Sequence, residues 1–112
     1  TIAPISQAGQ VEIHRMTTID AFCGERRITP DIVKIDIEGA EVLALKGARE
    51  VLKRYRPTVF LSVHPRQIAA LGHSTTELRQ IIDDIGYRVW DIARNEVCSG
   101  VLGFGEFRLD DG

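Results

Sequence analysis

Three carboxylates and an imidazole define the chemistry open to this chain. Asp36, Glu38 and Glu41 crowd the run Lys34-Ile-Asp-Ile-Glu-Gly-Ala-Glu41, and His64 closes a later apolar run. Carboxylates can hold a cation or take a proton, and an imidazole exchanges protons near neutral pH. Acids in the first turn of a helix are also favoured by its dipole, which explains Glu38 and Glu41 without any site. Asp36 precedes the turn, so the dipole does not explain it. His64 reads equally well as a site imidazole and as a residue that satisfies a turn. Cys23 and Cys98 lack CxxC or Cys/His spacing. No metal site is expected from them, and both read as reduced thiols of a cytoplasmic protein.

These groups need elements to hold them. The apolar run from Ile32 to Ile37, interrupted by Lys34 and Asp36 and bounded by turn signals, predicts a strand buried on both faces. Gly39 permits a sharp turn and the close approach of a ligand or a neighbouring chain. From Glu41 to Tyr55 the period becomes helical. Val42, Leu45, Leu52 and Tyr55 share a face that Leu43, Ala48 and Val51 broaden. Gly47 inside it marks a break or a close contact. Pro57 ends the helix, and Thr58–Val63 predicts a second buried strand. A strand–helix–strand unit implies parallel neighbours with a right-handed crossover. Asp36 and His64 then face one cleft at the carboxyl edge, where open α/β sheets bind ligands.

Upstream, residues 1–10 show no period and read as a loose segment, so the chain is expected to begin inside a larger protein. Val11–Met16 alternates as a half-buried strand with His14 on its solvated side. Thr17 and Asp20 are spaced to cap a short helix over Asp20–Cys23, stopped by Gly24. Downstream, Ser74 and Glu77 form a capping box before the stripe Leu78, Ile81, Ile82 and Ile85, and Gly86 sits at the helix end. Tyr87–Ile92 and Gly103–Leu109 predict two strands with no helix between them, hence antiparallel.

The whole chain has 112 residues, 44% hydrophobic and 27% charged, which fits one soluble domain. A net charge of −2 without blocks of like charge favours neither nucleic acid nor a membrane surface as partner. No apolar stretch reaches membrane-spanning length, and no signal-peptide pattern opens the chain. Asp-x-Glu on a strand also begins the carboxylate set of two-metal nucleases and phosphodiesterases. Here it leads into a helix, and no further acidic pair completes such a set. A non-catalytic reading also stands, in which an α/β half with an open strand edge associates with itself.

The string Lys34 to Glu41, then Leu45-Lys-Gly-Ala48, then Arg56-Pro57 with a strand ending in His64, resembles the FkbM family of S-adenosylmethionine-dependent methyltransferases. Thr17-Thr-Ile-Asp20 is similar to the Thr-Leu-Asp element ahead of that core, and Gly86-Tyr87 fits the end of its next helix. Ser62 departs from the pattern, since many members carry Glu in that strand. The resemblance implies an α/β fold: the C-terminal half of a class I (Rossmann-like) methyltransferase sheet, with parallel strands, helices and a terminal antiparallel hairpin. Residues 1–112 would be a single partial domain holding the fourth to seventh strands. The cofactor implied is S-adenosylmethionine. The family's glycine-rich loop belongs to the first strands, and no GxG follows a strand here; Gly103-Phe-Gly105 precedes one. The resemblance leaves Asp36, Glu38 and Gly39 as the cofactor-binding half-site and Asp36 and His64 as the catalytic pair. It implies O-methylation of a small molecule or sugar, with the isolated chain inactive. An exposed sheet edge is expected to support a homo-oligomer.

Overall fold

The computed structural model describes residues 17–112. The loose segment over 1–10, the strand over 11–16 and His14 lie outside the described residues. The elements run α1 (Ile19–Arg26), β1 (Ile32–Ile35), α2 (Glu41–Lys46), α3 (Arg49–Tyr55), β2 (Thr58–Val63), α4 (Pro65–Ala70), α5 (Thr75–Ile85), β3 (Arg88–Asp91), β4 (Glu96–Val97) and β5 (Gly105–Asp110). The strands form one five-stranded sheet in the order β1-β2-β5-β3-β4. β1 and β2 are parallel; β5 pairs antiparallel with both β2 and β3. The fold is thus mixed α/β, mostly antiparallel with one parallel pair. Strands at Arg88 and Phe107 are antiparallel as expected, with β5 inserted between β2 and β3.

One face of the sheet is packed. Ile35, Val59, Leu61, Val63, Val89, Phe107 and Leu109 are buried there with Val42, Leu45, Leu52, Ile68, Leu78 and Ile82 of the helices. α5 follows its sequence signals closely. Ser74 Oγ accepts the Glu77 N–H at 3.1 Å, the four-residue apolar stripe is buried, and Gly86 turns left-handed at φ 90°. Glu77's own carboxylate departs from the capping box, pairing with Lys46 at 2.9 Å and His73 at 2.8 Å.

Other expectations need correction. β1 is not buried on both faces: Ile32 is 65% exposed and Lys34 is exposed, because among the described residues helices cover only the side that carries Ile35. The helix over Glu41–Tyr55 is two helices, broken at Gly47–Ala48, where a Cβ on Gly47 would meet Thr18 at 2.9 Å. Leu43 and Tyr55 are exposed, while Val42, Leu45, Val51 and Leu52 are inside. Thr18, not Thr17, caps α1 by accepting the Ala21 N–H, and α1 runs through Gly24 to Arg26. Asp20 instead accepts the Glu50 and Val51 N–H groups at 3.1 and 2.9 Å, capping α3 from outside. α4 lacks an apolar period and was not expected; Pro65 at its first turn is its sequence signal.

Candidate active site

Parallel pairing of β1 with β2 puts the ends of both strands at one sheet edge. Ile35 lies opposite Leu61, so the residues that follow, Asp36 and His64, rise from neighbouring strands. His64 Nε2 stands 4.0 Å from Asp36 Oδ1. The imidazole is 14% exposed and the Asp36 side chain 55%, so the ring is held within the protein while the carboxylate faces solvent. The expected juxtaposition of these two residues is present.

What holds the ring is Glu41. It occupies the first turn of α2, yet it is fully buried. Its Oε2 accepts the His64 backbone N–H at 2.7 Å and lies 3.2 Å from His64 Nδ1. A buried carboxylate is costly unless charge-assisted hydrogen bonds compensate it, and two such contacts converge here. Nδ1 is the ring nitrogen on the Glu41 side and Nε2 the one that faces Asp36, so a proton on Nδ1 would donate to Glu41 and leave Nε2 as the acceptor. Glu41 Oε1 is buried without a hydrogen-bond partner among the described residues. Unmatched buried polar atoms of this kind concentrate where a fold serves chemistry rather than stability.

Glu41 was legible only as a first-turn acid favoured by the dipole. A second signal was present: Glu41 lies four residues before Leu45 and seven before Ala48, on the stripe that packs inward. A carboxylate on an apolar stripe asks for a partner, and the β2–α4 corner supplies it.

Glu38 and Gly39 form a β-turn in which the Ala40 N–H donates to the Ile37 carbonyl at 3.1 Å. Gly39 has φ 94°, the backbone that the third position of a type II turn requires. It is buried, and a Cβ there would stand 2.8 Å from the Gln67 carbonyl oxygen. The close approach foreseen at Gly39 is therefore made by the backbone of α4. Glu38 is exposed, and among the described residues no hydrogen bond or ion pair joins it to His64. One strand away, the Ser62 hydroxyl donates to the Glu106 carboxylate across the β2–β5 register, so a carboxylate reaches that position from the neighbouring strand.

The Methyltransferase FkbM domain family matches residues 5–89. The chain belongs to this family. No curated protein and no solved structure matches it. Membership places the chain in a methyltransferase family, and such a family implies S-adenosylmethionine use in general. In this FkbM domain the described residues fit only part of that cofactor. Asp36 and Glu38 can face a cationic end, but neither the turn after β1 nor the one after β2 is glycine-rich. Among the described residues no three His, Cys, Asp or Glu side chains are grouped as metal ligands. The family match does not favour the nuclease reading. No described helix is long and apolar enough to cross a membrane.

Proposed function

We propose that this FkbM domain contributes the acceptor-activating side of an S-adenosylmethionine-dependent O-methyltransferase acting on a hydroxyl of a small molecule or sugar. The observation that carries this reading is the His64 imidazole held between buried Glu41 and exposed Asp36. S-adenosylmethionine, when bound, would supply an electrophilic methyl group, with Asp36 and Glu38 placed to face its cationic end. His64 Nε2 would take the proton of the acceptor hydroxyl. Glu41 keeps the ring in the tautomer that leaves Nε2 free and stabilises the imidazolium that forms. Asp36 orients the hydroxyl and, with Glu38, offers negative charge to the cationic end of the cofactor. The Gly39 turn sets the position of both carboxylates against α4.

The sheet order supports a C-terminal class I (Rossmann-like) half, with β1, β2, β3 and β5 as its long strands. The contacts that this half lacks for the cofactor would come from a glycine-rich loop outside the described residues. β1 ends the strand order among the described residues, and its unpaired outer edge supports self-association there. Sedimentation showing only monomer at high concentration would reject this. The unbridged thiols of Cys23 and Cys98 support a cytoplasmic location.

The test is transfer of labelled methyl groups by the complete enzyme that carries this domain with its glycine-rich loop. Asp36→Ala and His64→Ala should each abolish transfer while circular dichroism shows the fold retained. Transfer that survives in both variants would overturn the assigned roles.

A further inference from the structure

At the carboxyl edge the exposed Phe104 ring stands edge-on to the His64 imidazole, with centroids 5.9 Å apart, and belongs with the site already described. A hollow without a role lies elsewhere, beside the amino end of β1, with the length of the parallel strands between it and His64. It opens between the last turn of α1, the loop that enters β1, and α3. Its volume is about 400 Å³, and its lining includes Cys23, Arg27, Ile28, Val51, Arg54 and Tyr55. That volume falls in the usual range for small-molecule sites, roughly 300–1,000 Å³.

The walls are fixed. Arg27 ends α1 with a left-handed backbone at φ 53°, and the Arg27 and Ile28 N–H groups fold back onto the Gly24 and Cys23 carbonyls at 3.4 and 2.9 Å. Asp20 ties α1 to α3 through the Glu50 and Val51 N–H groups, which engages both of its oxygens. Hydrogen bonds between elements, rather than loose chain, therefore set the gap.

The floor is apolar and the rim is basic. Cys23 and Val51 are buried, and Ile28 and Tyr55 are exposed beside them. Burial, with the Asp20 charge nearby, pushes the Cys23 thiol up, so it stays protonated and neutral. The Arg54 guanidinium lies 5.4 Å over the Tyr55 ring. Among the described residues the Arg27 and Arg54 guanidiniums make no hydrogen bond or ion pair, whereas Arg49, Arg56 and Arg79 each reach a carboxylate. Glu50, one helical turn before Arg54, also lines the hollow and does not pair with it.

Two planar forks without a partner, over an apolar floor, complement an oxyanion carried on an apolar body. A carboxylate accepts two parallel N–H groups from a guanidinium, and the group behind it leaves water against Ile28, Val51 and Tyr55. Glu50 sets the charge. Its carboxylate on the same rim repels a second negative charge, which disfavours a dianionic phosphate ester. A cation would meet two guanidiniums against that one free acid.

We propose that this hollow binds a small organic monocarboxylate with one aromatic or branched apolar body, held by Arg27 and Arg54 and lying against Tyr55. The site is independent of methyl transfer, since none of its residues belongs to the candidate active site.

The test is a titration of the 15N-labelled 112-residue chain, at neutral pH and matched ionic strength. The probes are phenylacetate, 3-methylbutanoate, phenyl phosphate, benzyl alcohol and benzylamine. At least one carboxylate should give saturable amide shifts confined to residues 20–29 and 50–55. Arg27→Gln and Arg54→Gln should each weaken that binding at least about fivefold, and Tyr55→Ala at least about threefold, with the remaining spectrum unchanged. Glu50→Gln should narrow the preference for phenylacetate over phenyl phosphate by at least about threefold. Benzyl alcohol binding as tightly as phenylacetate would overturn the proposal in favour of an apolar hollow. A preference for benzylamine would make Glu50 the recognising group and overturn it equally. Tighter binding of phenyl phosphate by the unsubstituted chain would overturn the monocarboxylate class. Absence of saturable shifts from both carboxylates would reject the site.

Discussion

The two edges of the sheet hold polar clusters of similar size built to opposite ends. At the amino ends of β2 and β3, Arg56 adopts a left-handed backbone at φ 53° and spreads its guanidinium over three acceptors. Nη1 donates to the Ile85 carbonyl at 2.7 Å, Nη2 to Gly86 at 3.1 Å, and Nε to Asp111 at 2.9 Å. The same guanidinium lies 4.6 Å over the Tyr87 ring, whose hydroxyl donates to the Pro57 carbonyl. Every group there has a partner. At the carboxyl edge, Glu41 keeps one oxygen unmatched, Asp36 faces water and Phe104 is bare. Arg56-Pro57 and Gly86-Tyr87 belong to the resemblance as much as Asp36 does, yet they converge on a lock that ties α3, α5 and β5 together. Family likeness marks residues at both edges alike.

This contrast can be broken first by exchanging the kind of damage. Asp36→Ala should lower methyl transfer by the complete enzyme at least about 100-fold, while its urea midpoint moves by less than about 0.5 kcal/mol of stability. Arg56→Ala should do the reverse, costing about 1–2 kcal/mol in urea unfolding by leaving the part-buried Ile85 carbonyl without its donor and uncovering the Tyr87 ring, with turnover of the folded fraction preserved. A large stability loss from Asp36→Ala would erase the distinction.

Gly39 offers a finer cut. Gly39→Ala forces a Cβ into a left-handed turn and against the Gln67 carbonyl, so it should destabilise by about 1–3 kcal/mol in thermal or urea unfolding. An unchanged midpoint would mean that α4 can move away from the turn.

The smallest effects are in the titration of the lock. Burial pushes the Tyr87 phenol up to about 12, outweighing the Arg56 charge that draws it down. The folded state thus binds that proton more tightly than the unfolded chain, so the stability it contributes is complete below about pH 10 and is lost as pH rises from there toward 12. Tyr87→Phe should cost about 1 kcal/mol at neutral pH and lack that alkaline step. Conversely, hydrogen bonding to Arg56 holds the Asp111 carboxyl below its ordinary range. The stability from that pairing is present above the ordinary carboxylate range and declines as pH falls through the lowered value; Asp111→Asn should remove this acid dependence.

Local pattern made much of this molecule legible. α5 was readable from Ser74 to Gly86 because cap, stripe and terminal glycine are all contacts within one turn of each other. The pairing of Asp36 with His64 was readable because two apolar runs joined by a helix leave little choice of topology. The strand at Ile32–Ile35 was misjudged for the converse reason: burial on a second face depends on what packs there, and apolar content does not report it. The break in the helix from Glu41 falls at Gly47, where Thr18, far away in sequence, leaves no room for a Cβ.

The residues alone determined the family, the alternation of elements and the two polar groups at the strand ends. Those depend on short-range periodicity, turn chemistry and a motif string, all of which the chain carries locally. Only the tertiary structure decided that Glu41 is the buried partner of His64, that Gly39 makes room for α4, that Glu106 meets Ser62, and that Phe104 stands open beside the imidazole. Each is a contact between segments distant along the chain, where packing and register, not propensity, choose the neighbour.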